Sequence, residues 1–377
     1  MKKHNQLPPR RIAVLGATGS IGKSAIDIIS HNPDFDVVLL TGHSNRKKLD
    51  ELSKQFPNAE CLLTQEDGKE KLLRAIKNAG ADITLNGISG ASGLEPSVAA
   101  LESGSNLALA NKETVVMAGK LALRLAREKN VKIIPVDSEH SAVFHLLQNR
   151  EQGTEDKEQT VSEIILTASG GPFRNFSLEQ MKNITVEDAL SHPTWKMGRK
   201  ITVDSASMAN KGLEIIEACI LFDMPPEKIK VTIHPQSIVH SMVRLSNGAV
   251  YAQLSKPDMR HPIHDALYWP RTAPSALEPL SFDSLTLEFC KPDENKFPML
   301  SLAREAAKQG ALYPCAYNAA NETAVAAFLD RVIGFLDIPK VTEHVLEEDW
   351  SGDCYSLEEI LNADAKARLR AKLFITK

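Results

Sequence analysis

"RRIAVLGATGSIGKSAIDIISHNP", residues 10–33, decides the fold. A short apolar run ends at Leu15, and glycines follow at Gly16, Gly19 and Gly22. Ile21, Ala25 and Ile28 then recur at helical spacing, and the helix must end before Pro33, because proline disfavours helical backbone at the residue before it. Strand, glycine turn and helix together bring backbone N–H groups at a helix N-terminus up to a pyrophosphate. The spacing G-x-x-G-x-x-G is a variant of the dinucleotide fingerprint, weak alone and strengthened by this context.

Working outward, "DVVLLTG" (36–42) is the second expected strand. A site for NAD usually ends this strand with an acid that holds the ribose hydroxyls. Here it runs into His43, Ser44, Asn45, Arg46, Lys47 and Lys48, a basic loop that welcomes a 2′-phosphate and favours NADP. Further strands are expected at 82–86, 106–110 and 132–137, with helical patterns between them. Such alternation predicts a doubly wound parallel sheet over residues 1–137, whose ligands sit at the carboxyl ends of the strands. Asn111, Lys112, Glu113, Asp137 and Glu139 all fall at such ends.

In "IIPVDSEHSA" (133–142) an apolar strand meets two carboxylates one residue apart. On a continuing strand Asp137 and Glu139 share a face and repel, so either solvent or a cation must relieve them. Downstream, 162–174 is read as a strand entering Ser169-Gly170-Gly171, and 201–222 as a strand, a polar turn and a long helix. That turn presents Ser205, Asn210 and Lys211, with Glu214 on the helix. Singly these residues have ordinary readings: a helix cap, a solvated lysine, a carboxylate favouring the helix dipole. Jointly they make a phosphate cradle beside three carboxylates, a hard-ligand set suited to Mg²⁺ or Mn²⁺. Between them "LSHPTWKMGRK" (190–200) carries Trp195 and Met197 on what reads as a lid.

The middle region, 138–270, is expected to be α+β, with Asn247-Gly248 turning a hairpin and His261 and His264 structural. A linker at 271–297 leads to a C-terminal helical domain, 298–377, where Ser356 and Glu359 have capping-box spacing. "EQGTEDKEQT" (151–160) reads as an exposed loop. At 377 residues two or three domains are expected. A net charge of −4 with interspersed signs gives no reason to expect nucleic acid or an anionic membrane, and no apolar run is long enough to span one. Five scattered cysteines, none in a C-x-x-C pair, argue for a reducing compartment.

"GATGSIG" (16–22), "NKET" (111–114), "PVDSEH" (135–140), "SGGPFR" (169–174), "HPTWKMGRKITVDSASMANKGLE" (192–214), "HPQSIVHSMV" (234–243) and "NAANE" (318–322) together resemble the 1-deoxy-D-xylulose 5-phosphate reductoisomerase family of the non-mevalonate isoprenoid pathway. The resemblance implies a Rossmann-like N-terminal domain and a cytoplasmic homodimer. It also implies an enzyme using NADPH and Mg²⁺ or Mn²⁺ to convert 1-deoxy-D-xylulose 5-phosphate to 2-C-methyl-D-erythritol 4-phosphate. Carried over by position, it makes Asp137, Glu139 and Glu214 metal ligands. Lys112, Ser138, Glu139, Ser169, His192, Trp195, Ser205, Asn210, Lys211 and Glu214 become substrate contacts, with Lys112, Glu139 and His192 catalytic. Thr18, Gly19, Ser20, Ile21, His43, Ser44, Asn45, Asn111, Glu113 and Gly198 become NADPH contacts. With no plastid-type transit peptide before the first strand, the bacterial cytosol is the expected setting. A semialdehyde dehydrogenase shares the glycine turn but needs a nucleophilic cysteine, and Cys219, inside the helix after Glu214, is ill placed. A non-enzymatic NADP-binding protein leaves the carboxylates unexplained.

Overall fold

The computed structural model describes residues 8–30, 32–151, 160–195 and 197–376, apart from the side chains of 149–151; most of the loop expected at 151–160 lies outside them. In chain order the elements begin β1 (Arg10–Leu15), α1 (Ser20–Ile29), β2 (Phe35–Gly42), α2 (Arg46–Gln55), β3 (Glu60–Leu63), α3 (Thr64–Asp67), α4 (Lys69–Asn78) and β4 (Ile83–Asn86). There follow α5 (Leu94–Glu102), β5 (Asn106–Leu109), α6 (Lys112–Glu128), β6 (Ile133–Pro135), α7 (Ser138–Glu151), β7 (Val161–Ala168), α8 (Leu178–Met181), α9 (Val186–Ala189) and α10 (Arg199–Ala206). The rest are α11 (Ala209–Leu221), β8 (Ile229–Ile233), β9 (Val239–Leu245), β10 (Val250–Leu254), α12 (Arg260–Tyr268), α13 (Met299–Gln309), α14 (Tyr313–Leu329), α15 (Asp337–Leu346) and α16 (Leu357–Ile375).

Two compact units form. The first takes the described part of Met1–Asn111, then Ala122–Asp137 and Met259–Leu277; the second takes Lys112–Leu121, Ser138–Asp258 and the described part of Glu278–Lys377. The expected division at 137, 270 and 297 is consecutive along the chain, whereas these units are discontinuous. Helix α12 packs on α1, with Arg10 Nη1 donating to the carbonyls of Leu267 and Trp269 at 2.8 and 2.7 Å. Helices α13 and α14 pack on α11.

In the first unit six parallel strands run in the order β3-β2-β1-β4-β5-β6, the doubly wound sheet expected, with its reversal between β1 and β4. Strand β3 was not foreseen: "ECLL" is too short to show a period. Residues Ile12–Leu15 are fully buried, the Ile12, Val14 and Leu15 side chains each contributing about 1.5–3 kcal/mol, which is why β1 reads as a continuous apolar run. Helix α1 buries Gly22, Ala25, Ile26 and Ile29, so its inner face is rotated from the expected Ile21, Ala25 and Ile28. Gly22 sets that face, since a Cβ there would lie 2.4 Å from the Ala17 Cα.

The second unit holds a four-stranded sheet, β10-β9-β7-β8, in which β7 and β8 are parallel and β9 is antiparallel to both β7 and β10. Asn247-Gly248 does turn the β9–β10 hairpin. Two expectations are corrected here. Residues 201–205 are helical, belonging to α10 rather than to a strand: Thr202 and Val203 look β-prone, but Thr202 Oγ1 donates to the Gly198 carbonyl 2.8 Å away in the first turn. Ser205 therefore sits on a helix. And Asp137 and Glu139 do not alternate along a strand, because β6 ends at Pro135 and α7 begins at Ser138. Glu139 occupies the first turn of α7, where a carboxylate complements the helix dipole. Helices α13 to α16 form the expected helical C-terminal part, and Ser356 Oγ accepts the N–H of Glu359 at 3.3 Å. Among the described residues no helix is long and apolar enough to cross a membrane.

Candidate active site

In the first unit the glycine turn sits where the strand order reverses. Gly16 holds φ +77°, and a Cβ there would meet the Gly87 carbonyl at 2.9 Å, so the β1 and β4 ends approach closely. Thr41 fixes the turn, its Oγ1 accepting the Gly16 N–H at 3.2 Å and its carbonyl the Ala17 N–H at 2.7 Å. Helix α1 begins with Ser20 and Ile21 after Gly19, with no side-chain cap and no acid in its first turn. Uncapped N–H groups and an unopposed dipole are what a pyrophosphate requires, so these residues fit a dinucleotide. Asn111 donates from Nδ2 to the carbonyls of Ile88 and Gly90, both at 2.8 Å, tying the end of β5 to the loop after β4.

The loop after β2 is exposed. A His43 ring nitrogen bonds Thr64 Oγ1 at 2.9 Å, the Ser44 carbonyl accepts the Arg46 N–H, and Asn45 caps α2 by accepting the Lys48 N–H at 3.1 Å. Arg46 is paired with Glu66, while Lys48 Nζ donates to the Thr18 carbonyl at 3.0 Å. Glu113 and Gly198 belong to the second unit.

There, the carboxylate of Glu214 is fully buried on α11, a placement that costs several kcal/mol unless it is paired. Lys112, in the first turn of α6, reaches Glu214 Oε1 at 2.9 Å, and Asn210 Nδ2 donates to the same oxygen at 2.6 Å. Lys211 bonds the other Glu214 oxygen and reaches Glu139 Oε1 at 2.8 Å, while Ser138 Oγ donates to Glu139 Oε2 at 2.6 Å. Both lysines are buried. Asp137, the last residue of its segment of the first unit, is peptide-bonded to Ser138 and offers a third carboxylate. An all-carboxylate set of Asp137, Glu139 and Glu214, already drawing positive charge from two lysines, fits a hard divalent cation. The buried Oδ1 of Asn210 has no protein partner, so the cluster retains an acceptor for a ligand's hydroxyl or ammonium.

A second group centres on His192. Its Nδ1 accepts the N–H groups of Thr194 and Trp195 at 3.1 and 2.9 Å, which assigns the proton to Nε2. From there the ring reaches Ser169 Oγ, at the end of β7, and Ser205 Oγ on α10, each at 3.1 Å. Burial lowers the His192 pKa, keeping the ring neutral. Trp195 is half-buried and lies outside any helix or strand, and Gly198 caps α10.

Several residues here were not singled out from sequence. His140 is fully buried, with Nε2 bonded to the Glu214 carbonyl at 3.0 Å and Nδ1 3.4 Å from Glu217 Oε2, so it braces the helix that carries Glu214. Lys200, Asp204, Asn321 and Glu322 form a charged cluster. All but Glu217 lie inside the quoted motifs, but their signal is spatial: no local period brings α10 to α14.

A doubly wound sheet bearing a dinucleotide turn, followed in the chain by a buried carboxylate–lysine cluster, defines a dinucleotide-dependent oxidoreductase with a divalent-cation site. The comparisons are specific. The pattern described as 1-deoxy-D-xylulose 5-phosphate reductoisomerase matches residues 12–77 and 47–119, and the C-terminal domain patterns of the same enzyme match 133–222 and 254–370. The 1-deoxy-D-xylulose 5-phosphate reductoisomerase of Treponema denticola is 48% identical over 369 residues, covering 95% of each chain. A crystal structure of a DOX-P reductoisomerase in complex with NADPH, fosmidomycin and magnesium superposes with a TM-score of 0.90 at 37% identity, covering 97% of this chain and 98% of that one. The enzyme from Zymomonas mobilis in complex with NADPH gives 0.86 at 42%, covering 97% and 99%. The chain belongs to the 1-deoxy-D-xylulose 5-phosphate reductoisomerase family.

Proposed function

We propose that this protein converts 1-deoxy-D-xylulose 5-phosphate to 2-C-methyl-D-erythritol 4-phosphate, using NADPH and magnesium. The observation that carries the residue assignment is the buried Glu214 cluster: Lys112, Asn210 and Lys211 converge on one carboxylate, and Lys211 links it to Glu139. NADPH would be held in the first unit by Thr18, Gly19, Ser20, Ile21, His43, Ser44, Asn45 and Asn111, and in the second by Glu113 and Gly198. Mg²⁺ would be held by Asp137, Glu139 and Glu214. When bound, the two supply a hydride and Lewis-acid polarisation.

The chain's own groups do the rest. Lys112 directs a buried ammonium at charge developing on substrate oxygen. The Nε2–H of His192, with the hydroxyls of Ser169 and Ser205, orients the sugar phosphate. Asn210, Lys211 and Ser138 add donors for its oxygens, and Glu139 is placed to move a proton. Trp195 covers the substrate and excludes water. Incubation with NADPH, Mg²⁺ and deoxyxylulose phosphate should yield the branched polyol phosphate by mass and NMR; an unrearranged reduced sugar would contradict this.

The loop after β2 sets cofactor choice. A 2′-phosphate gains charge-assisted hydrogen bonds worth about 1.5–3 kcal/mol each, so NADPH should bind at least about tenfold more tightly than NADH. Neutralising Arg46, Lys47 and Lys48 together should narrow that gap in a fluorescence titration. Equal affinities in the unaltered protein would refute it.

Three finer points complete the reading. Mn²⁺ should replace Mg²⁺, because both take the same oxygen ligands. The five cysteines are free, which suits the reducing cytoplasm. A homodimer is supported by β10, an outer strand that exposes 44% of Val250 and 53% of Tyr251. Sedimentation should give twice the chain mass, and a monomer at micromolar concentration would rule the dimer out.

A further inference from the structure

A file of buried and part-buried polar groups runs from the C-terminal helices to the first turn of α6, all within the second unit. Asn321 on α14 is fully buried and donates from Nδ2 to Asp204 Oδ1 at 2.8 Å. Asp204, 1% exposed on α10, places its other oxygen 3.0 Å from Lys200 Nζ. Lys200 in turn reaches Glu113 Oε1 at 2.6 Å. Glu322, the neighbour of Asn321, lies 3.8 Å from the same ammonium and is itself held by Arg368 at 2.7 Å. The Asn321 amide has one sensible orientation, because turned over it would set its oxygen against the Asp204 carboxylate. Burial disfavours charge on Lys200, but Asp204, Glu113 and Glu322 more than offset it and keep the ammonium charged. The same ammonium keeps the buried Glu113 carboxylate ionised.

We infer that Asn321 is a positioning residue for the reduction step, acting through Asp204 and Lys200 to fix Glu113 in the first turn of α6. This rests on the reading above that Glu113 touches NADPH. The C-terminal helices thereby contribute to cofactor binding without reaching the cofactor. Glu113 shares its turn with Lys112, so the file also limits where that catalytic ammonium can sit. Asn321 supplies the terminal donor of this network, and because its own buried Oδ1 makes no hydrogen bond among the described residues, the Nδ2–Asp204 contact is the whole of its polar contribution.

The test is a double-mutant cycle read by NADPH fluorescence titration, with melting temperature followed in parallel. Asn321→Ala should weaken NADPH binding about three- to tenfold, in the range of coupling through shared networks. Glu113→Gln should weaken it also. In the Glu113→Gln background Asn321→Ala should cost nothing further, because the file no longer ends on a charged cofactor contact. Losses that multiply, or unchanged binding in Asn321→Ala, would overturn the inference. If Asn321→Ala does not fold, Asn321→Ser, which keeps a hydroxyl donor toward Asp204, should give a smaller loss with the same non-additivity, and additivity there would also overturn it. If Glu113→Gln binds NADPH as the unaltered protein does, the assignment of Glu113 to the cofactor fails first and takes the inference with it.

Discussion

Asp137→Asn is expected to lower turnover by at least about 100-fold while the fold survives; partners one shell out from a metal already cost about 10–100-fold when removed. The amide keeps the shape of the side chain and removes one of three carboxylates. Two ammonium groups, Lys112 and Lys211, already balance Glu139 and Glu214, so Asp137 brings the charge that favours a divalent ion over the lysines alone. Simple crowding of like charges, the tension suggested by the sequence, is thus largely relieved by the protein itself. Added Mg²⁺ should raise the melting temperature of the unaltered protein by mass action and hardly move that of Asp137→Asn. Equal shifts in both, with activity kept, would show that the metal is held elsewhere.

What could be read from the sequence, and what could not, follows from the range of the interactions. The glycine turn was legible because strand, turn and helix are contiguous, and the NADP preference because six consecutive residues carry it. The strand forecast at the start of 201–222 failed because β-branched Thr202 and Val203 weigh against helix locally, whereas the helix is fixed by packing against distant α14. Asp137 and Glu139 were read on the wrong backbone: Ser138 starts a helix, a switch that the apolar run before it conceals. Lys211, which taken singly could pass for a solvated lysine and was assigned to an anion cradle only jointly with its neighbours, is buried between two carboxylates. Its partners are three and 72 residues away, and only the nearer lies within reach of a helical pattern.

Lys112→Met should be the most destabilising single change in the site. It strips one cation from Glu214, a carboxylate with no access to solvent, and breaking a buried pair from one side costs about 3–5 kcal/mol. The metal-free protein should melt several degrees lower. Adding Glu214→Gln to it should restore part of that loss, since the amide no longer demands a counter-charge, and the pair should be clearly non-additive. Turnover should not return in the double variant, because both the ammonium and the proposed metal ligand are gone. Additive losses in melting temperature would mean that the two side chains do not depend on each other.

The most direct measurement is the rate of NADPH oxidation, followed by absorbance, as Mg²⁺ is titrated into metal-stripped protein with saturating 1-deoxy-D-xylulose 5-phosphate. The account predicts no oxidation without metal, a saturable rise with Mg²⁺ in the unaltered protein, and a flat line for Glu214→Gln at every Mg²⁺ concentration that saturates the former. Metal-independent oxidation, or a Glu214→Gln protein that saturates like the unaltered one, would contradict it.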